Sequence, residues 1–189
     1  GFAKDVLSEI KDLPISFEVF SDEFPEMKRQ AMKIKDWAPN VNVKIPITNT
    51  KKESAIPLIK ELFAAGIKLN ITAIMSEAQI MELKDALKPG DDAIISIFAG
   101  RIADTGVDPM PLMKRAVDSY KGLTKSKILW ASPREVLNVY QAEQCGCHII
   151  TATDDLLSKL ALKGKNLDEY SLDTVKMFYK DAQSAGFNL

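Results

Sequence analysis

The segment VNVKIPI, residues 41–47, places a lysine in the middle of an otherwise apolar run. Such a short run of branched aliphatic residues is typical of a buried β-strand. A lysine ammonium is strongly hydrated, so Lys44 is unexpected there unless it is paired or used. Removal of water lowers an amine's pKa and frees its lone pair to attack a carbonyl. Lys44 is therefore a candidate nucleophile; the alternatives are a lysine that reaches solvent from the strand end or one paired structurally with Glu18.

Outward from this segment, five further apolar segments recur along the chain, and helical patterns lie between them. The six are PISFEVF (14–20), VNVKIPI (41–47), IKLNITAIM (67–75), AIISIFAG (93–100), KILWAS (127–132) and HIITAT (148–153). Strands that alternate with helices predict βα units around a parallel sheet. No G-x-G-x-x-G or Walker loop follows any of them, which disfavours an open nucleotide-binding sheet.

Polar residues inside these strands favour a closed barrel. They are Glu18, Lys44, Asn70, Thr72 and Ser96. Burial of such groups costs free energy unless they are paired or used. In a barrel of parallel strands, they would converge on one site at the carboxyl-terminal face. The sequence therefore predicts an α/β fold of the (β/α)₈ TIM-barrel type.

The predicted barrel is incomplete. Barrels of this type have eight strands and typically about 250 residues, whereas this chain has 189 residues, six strand-like segments and a helical start. We expect one partial barrel domain, 1–189, that lacks the first two βα units. An amphipathic helix is predicted at about 171–187, with an apolar side formed by Leu172, Val175, Met177, Phe178 and Phe187.

Composition excludes several kinds of partner. The chain has 25 Lys plus Arg and 26 Asp plus Glu, so the basic surplus of a nucleic-acid binder is missing. No apolar stretch approaches the roughly 18 residues of a membrane span. The segment Cys145-Gly146-Cys147-His148 could suggest a metal site, but structural zinc sites usually add a second ligand pair from elsewhere. We favour a helix-end turn there and expect no metal.

Five motifs resemble the transaldolases, including the short subfamily that contains the fructose-6-phosphate aldolases. They are SFEV (16–19), VKIP (43–46), GIKLNITAIMS (66–76), SIFAGRIADTG (96–106) and ILWASPREV (128–136). The resemblance runs from about Ser16 to the C-terminus. It implies an enzyme that transfers a dihydroxyacetone unit between sugar phosphates, such as fructose 6-phosphate and erythrose 4-phosphate, through a lysine Schiff base. It implies no cofactor, a homo-oligomer and a cytoplasmic location.

The resemblance also assigns catalytic roles. Lys44 matches the Schiff-base lysine, and Glu18 matches the glutamate that positions a catalytic water. Asn70 matches the asparagine that holds sugar hydroxyls, and Thr72 matches the threonine that helps orient the water. Nothing upstream of Ser16 matches the family's acid/base aspartate or its T-N-P motif, so we expect impaired carbon–carbon cleavage.

Five further positions match residues that bind the substrate. Ser96 and Phe98 match pocket-lining residues, and Arg101, Ser132 and Arg134 match the group that binds the sugar's terminal phosphate. The fructose-6-phosphate aldolases have Gln at the position of Glu18 and Tyr at that of Phe98. The sequence therefore favours a transaldolase; the alternatives are a catalytically impaired fragment or pseudoenzyme that binds sugar phosphates, and a fructose-6-phosphate aldolase.

Overall fold

Six parallel strands form one sheet in the order of the sequence in the computed structural model, which describes residues 1–186. They are β1 (Ile15–Glu18), β2 (Val41–Pro46), β3 (Leu69–Ile74), β4 (Ala93–Ile97), β5 (Ser126–Trp130) and β6 (Ile149–Ile150). Each lies within or overlaps one of the six predicted segments, so the predicted strand number and parallel pairing are confirmed.

Seven helices connect or precede these strands in the first of two compact units, Gly1–Ala152. They are α1 (Phe2–Glu9), α2 (Phe24–Lys35), α3 (Ile56–Ala64), α4 (Glu77–Ala86), α5 (Ala99–Asp104), α6 (Met110–Ser119) and α7 (Leu137–Gln144). The sequence does not predict α5. Its last residue is Asp104.

Side chains alternate between the two faces of the sheet, as the period of a strand requires. In β2, Val43 and Ile45 are fully buried in the main hydrophobic core, on the helix-covered face. Asn42 and Lys44 point to the opposite, concave face, where they line cavities. The sequence pattern conceals this alternation, because most residues on both faces are apolar.

The sheet is curled into a half-barrel. Ser16 of β1 and Ile149 of β6 line the same cavity although four strands separate β1 from β6 in the sheet. The fold is thus an α/β half-barrel of six strands, consistent with the predicted partial TIM-type barrel; the absence of the first two βα units stays a prediction.

A second compact unit begins at Thr153. It contains α8 (Asp154–Lys159), a 3₁₀ helix (Leu160–Leu162) and α9 (Leu167–Ala185). Helix α9 begins at Leu167 rather than near residue 171, because the Asn166 side chain accepts hydrogen bonds from the amides of Asp168 and Glu169 and caps it. Phe187, part of the predicted helix, lies outside the described residues.

Within residues 1–186, no helix has both the length and the apolar character that a membrane crossing requires.

Candidate active site

Three polar side chains form one row across neighbouring strands. The register of the sheet pairs Glu18 of β1 with Lys44 of β2, and Lys44 with Asn70 of β3. Residues paired in this way project from the same face of a sheet. The two strand pairings therefore bring together three residues, each of which is 26 positions from the next in the sequence.

Lys44 contacts Glu18 directly. Its Nζ atom donates a hydrogen bond of 2.9 Å to the Glu18 carboxylate. The lysine side chain is 29% exposed and the glutamate side chain 47% exposed, so water reaches the pair. Ion pairs this open contribute little to stability. The structural pairing with Glu18 that we considered from the sequence is present, and it leaves the lysine accessible to a small molecule.

Asn70 is held by two serines on the adjoining strands. Ser96 Oγ donates to Asn70 Oδ1 over 2.6 Å, and Asn70 Nδ2 donates to Ser16 Oγ over 3.0 Å. Asn70 and Ser96 are both buried. The amide therefore has a fixed place, with one N–H of Nδ2 still free to donate to a ligand hydroxyl.

Thr72 has a buried hydroxyl with no hydrogen-bond partner among the described residues. Its neighbour Ala73 has a positive φ of 62°, and the pairing of β3 with β4 shifts register between Ile71 and Ile74. A bulge of this kind re-aims side chains and is frequent next to active sites. An unpaired buried hydroxyl facing a cavity can hold a water molecule or a ligand oxygen.

One cavity of about 430 Å³ collects most of the predicted site residues on the concave face. Those that line it are Lys44, Asn70, Thr72, Ser96, Phe98 and Ser132. Pocket size and mixed lining suit a small polar ligand. Glu18 joins the site through Lys44, whereas Arg101 and Arg134 do not line this cavity.

The two arginines lie near its rim with different partners. The guanidinium carbon of Arg101 lies over the Phe98 ring, 5.4 Å from the ring centre. Arg134 Nε donates to Asp104 over 3.1 Å, and its Nη2 donates to the other oxygen of the same carboxylate. Asp104 thus holds one edge of the Arg134 guanidinium, whereas the partner of Arg101 is an aromatic ring.

The loop between β5 and α7 carries Ser132 and Arg134, and the amides of three of its residues are already paired. The Ser132 N–H donates to Thr151 Oγ1, and those of Arg134 and Glu135 donate to Asn138 Oδ1. Backbone amides at the start of a helix commonly bind phosphate. These three amides already have acceptors, so they are not available to a phosphate.

The cysteine pair lies at the end of α7 and takes no part in this site. Gly146 has a positive φ of 76°, as a turn at a helix end requires. Burial raises the pKa of the Cys147 thiol to about 12. His148 Nδ1 accepts from the Ile128 amide, so that nitrogen is not free for a metal. In residues 1–186 no cluster of three or more His, Cys, Asp or Glu side chains suits a metal ion.

Sequence reasoning missed several residues that support the site. Ser16 and Thr151 both line the cavity. Ser16 accepts a hydrogen bond from the Asn70 side chain, and Thr151 accepts one from the Ser132 amide. Asp104 binds the Arg134 side chain, and Asn138 accepts from the Arg134 amide. Small polar residues are common in loops and strand ends, so no composition signal singles them out. Only the strand register and the approach of α5 to the β5–α7 loop reveal them.

The fold is an α/β half-barrel, and its candidate active site is a partly exposed lysine, paired with a carboxylate, at a cavity of mixed polar and apolar lining. A family model described as Transaldolase/Fructose-6-phosphate aldolase matches residues 1–189. The chain belongs to this family. The family relationship supports an aldolase-type function and a transaldolase-type enzyme, with sugar phosphates as the implied substrates.

Similar curated proteins agree with this assignment. A probable transaldolase of Streptococcus agalactiae is 36% identical over 162 residues, which are 83% of this chain and 71% of that protein. Probable transaldolase 2 of Listeria monocytogenes is 39% identical over 160 residues, covering 83% and 68%. A probable transaldolase of Herpetosiphon aurantiacus is 30% identical over 177 residues, covering 90% and 76%.

A solved structure shares the fold at low identity. It is that of the Bacillus subtilis YkuI protein, with an EAL domain, in complex with c-di-GMP and calcium. The TM-score is 0.53 at 16% identity, over 99% of this chain and 55% of that chain. A likeness at this identity concerns the fold alone.

Proposed function

We propose that the chain catalyses transaldolase-type transfer of a dihydroxyacetone unit between sugar phosphates through a Schiff base on Lys44. The observation that carries this proposal is the 2.9 Å contact between Lys44 Nζ and Glu18 at a cavity lined by Asn70 and Thr72. The Glu18 carboxylate is close enough to accept a proton from the lysine, and an amine without that proton can attack a carbonyl.

The proposed reaction balances without a cofactor. The Lys44 amine adds to the ketose carbonyl carbon and water leaves, giving an iminium. Glu18, acting through the water near Thr72, takes the proton of the hydroxyl on the fourth sugar carbon and holds it until the acceptor's aldehyde oxygen takes it up. As that proton leaves, the bond between the third and fourth carbons breaks, its electron pair moves toward the iminium nitrogen, and an aldose phosphate leaves. The resulting enamine attacks an acceptor aldehyde, and water hydrolyses the new iminium to free Lys44.

Asn70 and Thr72 have contacts that suit this sequence. The free N–H of Asn70 can donate to a sugar hydroxyl, since Ser96 and Ser16 already fix its amide. The unpaired Thr72 hydroxyl can hold the water through which Glu18 moves protons. Phe98 lines the cavity without offering an acidic hydroxyl, which favours transfer over aldol cleavage.

A transfer assay tests the proposal. Fructose 6-phosphate and erythrose 4-phosphate are supplied together, and a seven-carbon ketose phosphate with glyceraldehyde 3-phosphate is the expected pair of products. Lys44→Ala should abolish both. If wild-type protein instead releases free dihydroxyacetone and forms no seven-carbon product, it is an aldolase; if it forms neither, the transfer proposal is wrong.

A second candidate function is binding of sugar phosphates, with imine formation but very slow cleavage. No aspartate from the described residues 1–186 lines the cavity, although cleavage needs a base for the departing hydroxyl proton. General base catalysis contributes roughly 10²–10⁴-fold. This candidate is favoured if the imine is trapped but the seven-carbon product forms at least about 10²-fold more slowly than it does with a related transaldolase in the same transfer assay.

We also propose a homo-oligomer, as the resemblance implies; the implied cytoplasmic location likewise remains a prediction. Apolar side chains of α9 are exposed, among them Leu172, Val175, Met177 and Phe178. Leu172, Val175 and Phe178 follow one another at intervals of three residues, so they lie on one side of the helix, and an exposed apolar surface of this kind is typical of interaction sites. Light scattering after size-exclusion chromatography measures the oligomer directly; a mass of 20.9 kDa at every concentration would contradict this expectation.

A further inference from the structure

Helix α5 approaches the β5–α7 loop unusually closely at Gly100. A Cβ atom on Gly100 would lie 1.5 Å from the carbonyl oxygen of Ser132 and 3.3 Å from Nε of Arg134. The Gly100 amide also donates to the Ala131 carbonyl over 3.3 Å. Only the absence of a side chain permits this packing. The helix is therefore held against the loop that carries Ser132 and Arg134.

Asp104 extends the same contact. Residues four apart lie on one face of a helix, so Asp104 follows Gly100 along the side of α5 that meets the loop. From that position its carboxylate accepts from both Nε and Nη2 of Arg134. One face of α5 thus supplies a close backbone contact through Gly100 and a two-point anchor through Asp104.

This anchor uses one edge of the guanidinium and leaves the rest free. Arg134 has five N–H groups, of which one on Nε and one on Nη2 donate to Asp104. Both N–H groups of Nη1 make no hydrogen bond to the described residues. A planar guanidinium with one edge fixed presents its remaining donors in a defined direction, which suits a phosphate.

We propose that Asp104 is a positioning residue that holds Arg134 for the phosphate group of the substrate. This inference rests on the proposed function, because it takes the substrate to be a sugar phosphate, but it does not depend on the chemistry at Lys44. Arg134 and Asp104 are 48% and 50% exposed, so without the anchor the long arginine side chain would sample many rotamers in solvent. In the free protein, the ion pair with Asp104 reduces the number of rotamers that the Arg134 side chain samples, so less side-chain entropy is lost when a ligand binds.

Calorimetric titration separates this role from a general structural one. The ligands are fructose 6-phosphate and, as the comparator without phosphate, fructose. Asp104→Asn should weaken binding of fructose 6-phosphate by about fivefold, the order expected from a partly exposed ion pair. It should leave the weak response to fructose and the melting temperature unchanged. Asp118→Asn is the matched control, because it removes the same charge from an exposed pair with Lys121.

A double-mutant cycle shows whether Asp104 acts through Arg134. In an Arg134→Ala background, Asp104→Asn should have no further effect on fructose 6-phosphate binding. Asp104→Glu should restore part of the lost affinity.

Three outcomes would overturn the inference: unchanged binding in Asp104→Asn, an equal loss in the Arg134→Ala background, or no binding of fructose 6-phosphate by wild-type protein. Failure of imine formation at Lys44 with the binding pattern intact would instead contradict only the proposed chemistry.

Discussion

Lys44 Nζ lies 2.9 Å from the Glu18 carboxylate because the parallel register of β1 and β2 pairs these two residues side by side. Glu18 is the last residue of β1, and the carboxyl ends of the strands are where parallel barrels carry their active sites. The pair is partly open to water, so it is a poor stabilising element and a good place for proton transfer.

Glu18→Gln should slow transfer by about 10²-fold while leaving the fold intact, because the amide cannot accept the proton that a carboxylate accepts. Initial rates of seven-carbon product formation measure this. Glu23→Gln is the matched control, since Glu23 forms an exposed ion pair with Lys51 and neither residue lines the cavity. Equal rates in Glu18→Gln and wild-type protein would exclude Glu18 from catalysis.

Glu18→Gln combined with Phe98→Tyr should shift the reaction from transfer toward release of free dihydroxyacetone. The double variant introduces the residues that the resemblance associates with fructose-6-phosphate aldolases, and the phenol adds an acid next to the cavity that Phe98 lines. The ratio of dihydroxyacetone to seven-carbon product is the measurement. A ratio unchanged from that of Glu18→Gln alone would argue against position 98 as the discriminating residue.

Thr72→Val should lower activity without lowering stability. The Thr72 hydroxyl is buried and unpaired, so its replacement by a methyl group removes an uncompensated polar atom. We expect a melting temperature equal to or above that of wild-type protein and a transfer rate reduced by roughly tenfold or more. Ser96→Ala is a useful contrast, since it breaks a buried hydrogen bond to Asn70 and should destabilise the protein by about 1 kcal/mol. A stability loss in Thr72→Val would show that the hydroxyl has a structural partner.

Gly100→Ala should destabilise the protein by about 1–3 kcal/mol, because the new Cβ would collide with the Ser132 carbonyl and force the loop away. Denaturant unfolding measures the change. Gly122→Ala is the matched control, since no atom lies within 4 Å of a Cβ there. If the two variants are equally stable, the close contact of α5 with the β5–α7 loop is wrong.

Cys147 should resist alkylation in the folded protein. Burial raises the pKa of its thiol to about 12, so the reactive thiolate is scarce at pH 8. Because the folded state keeps the proton, this group adds stability below the ordinary thiol pKa of 9.0 and loses that contribution as the pH rises toward about 12. Iodoacetamide followed by peptide mass mapping should modify Cys147 slowly in buffer and rapidly in denaturant. Rapid modification of native protein would place the thiol in solvent.

The six strands could be predicted from the sequence, but the side-chain contacts that depend on how the strands pair could not. Ile- and Val-rich segments gave all six strands, and the lysine inside VNVKIPI pointed to the site. Contact between Lys44 and Glu18 was only one alternative, because register depends on pairing between strands. The orientation of Thr72 follows from a bulge at Ala73, an alanine with a positive φ that local sequence does not favour.

The rim of the cavity was the hardest part to predict. Asp104 ends α5 and holds Arg134, and no motif or spacing in the sequence pointed to this contact. That contact depends on the tertiary approach of α5 to the β5–α7 loop, which Gly100 permits and no periodicity reveals. Arg101 and Arg134 were expected to act together, but their described partners are Phe98 and Asp104.

Borohydride trapping at Lys44 tests the central claim most directly. The protein is mixed with fructose 6-phosphate, reduced, digested with trypsin and analysed by mass spectrometry. A reduced imine on Lys44 blocks cleavage there, so we predict a sugar-derived adduct on the peptide 36–51 that Lys44→Ala lacks. An adduct only on other lysines, or none in protein that circular dichroism shows to be folded, would contradict the assignment of Lys44 as the nucleophile.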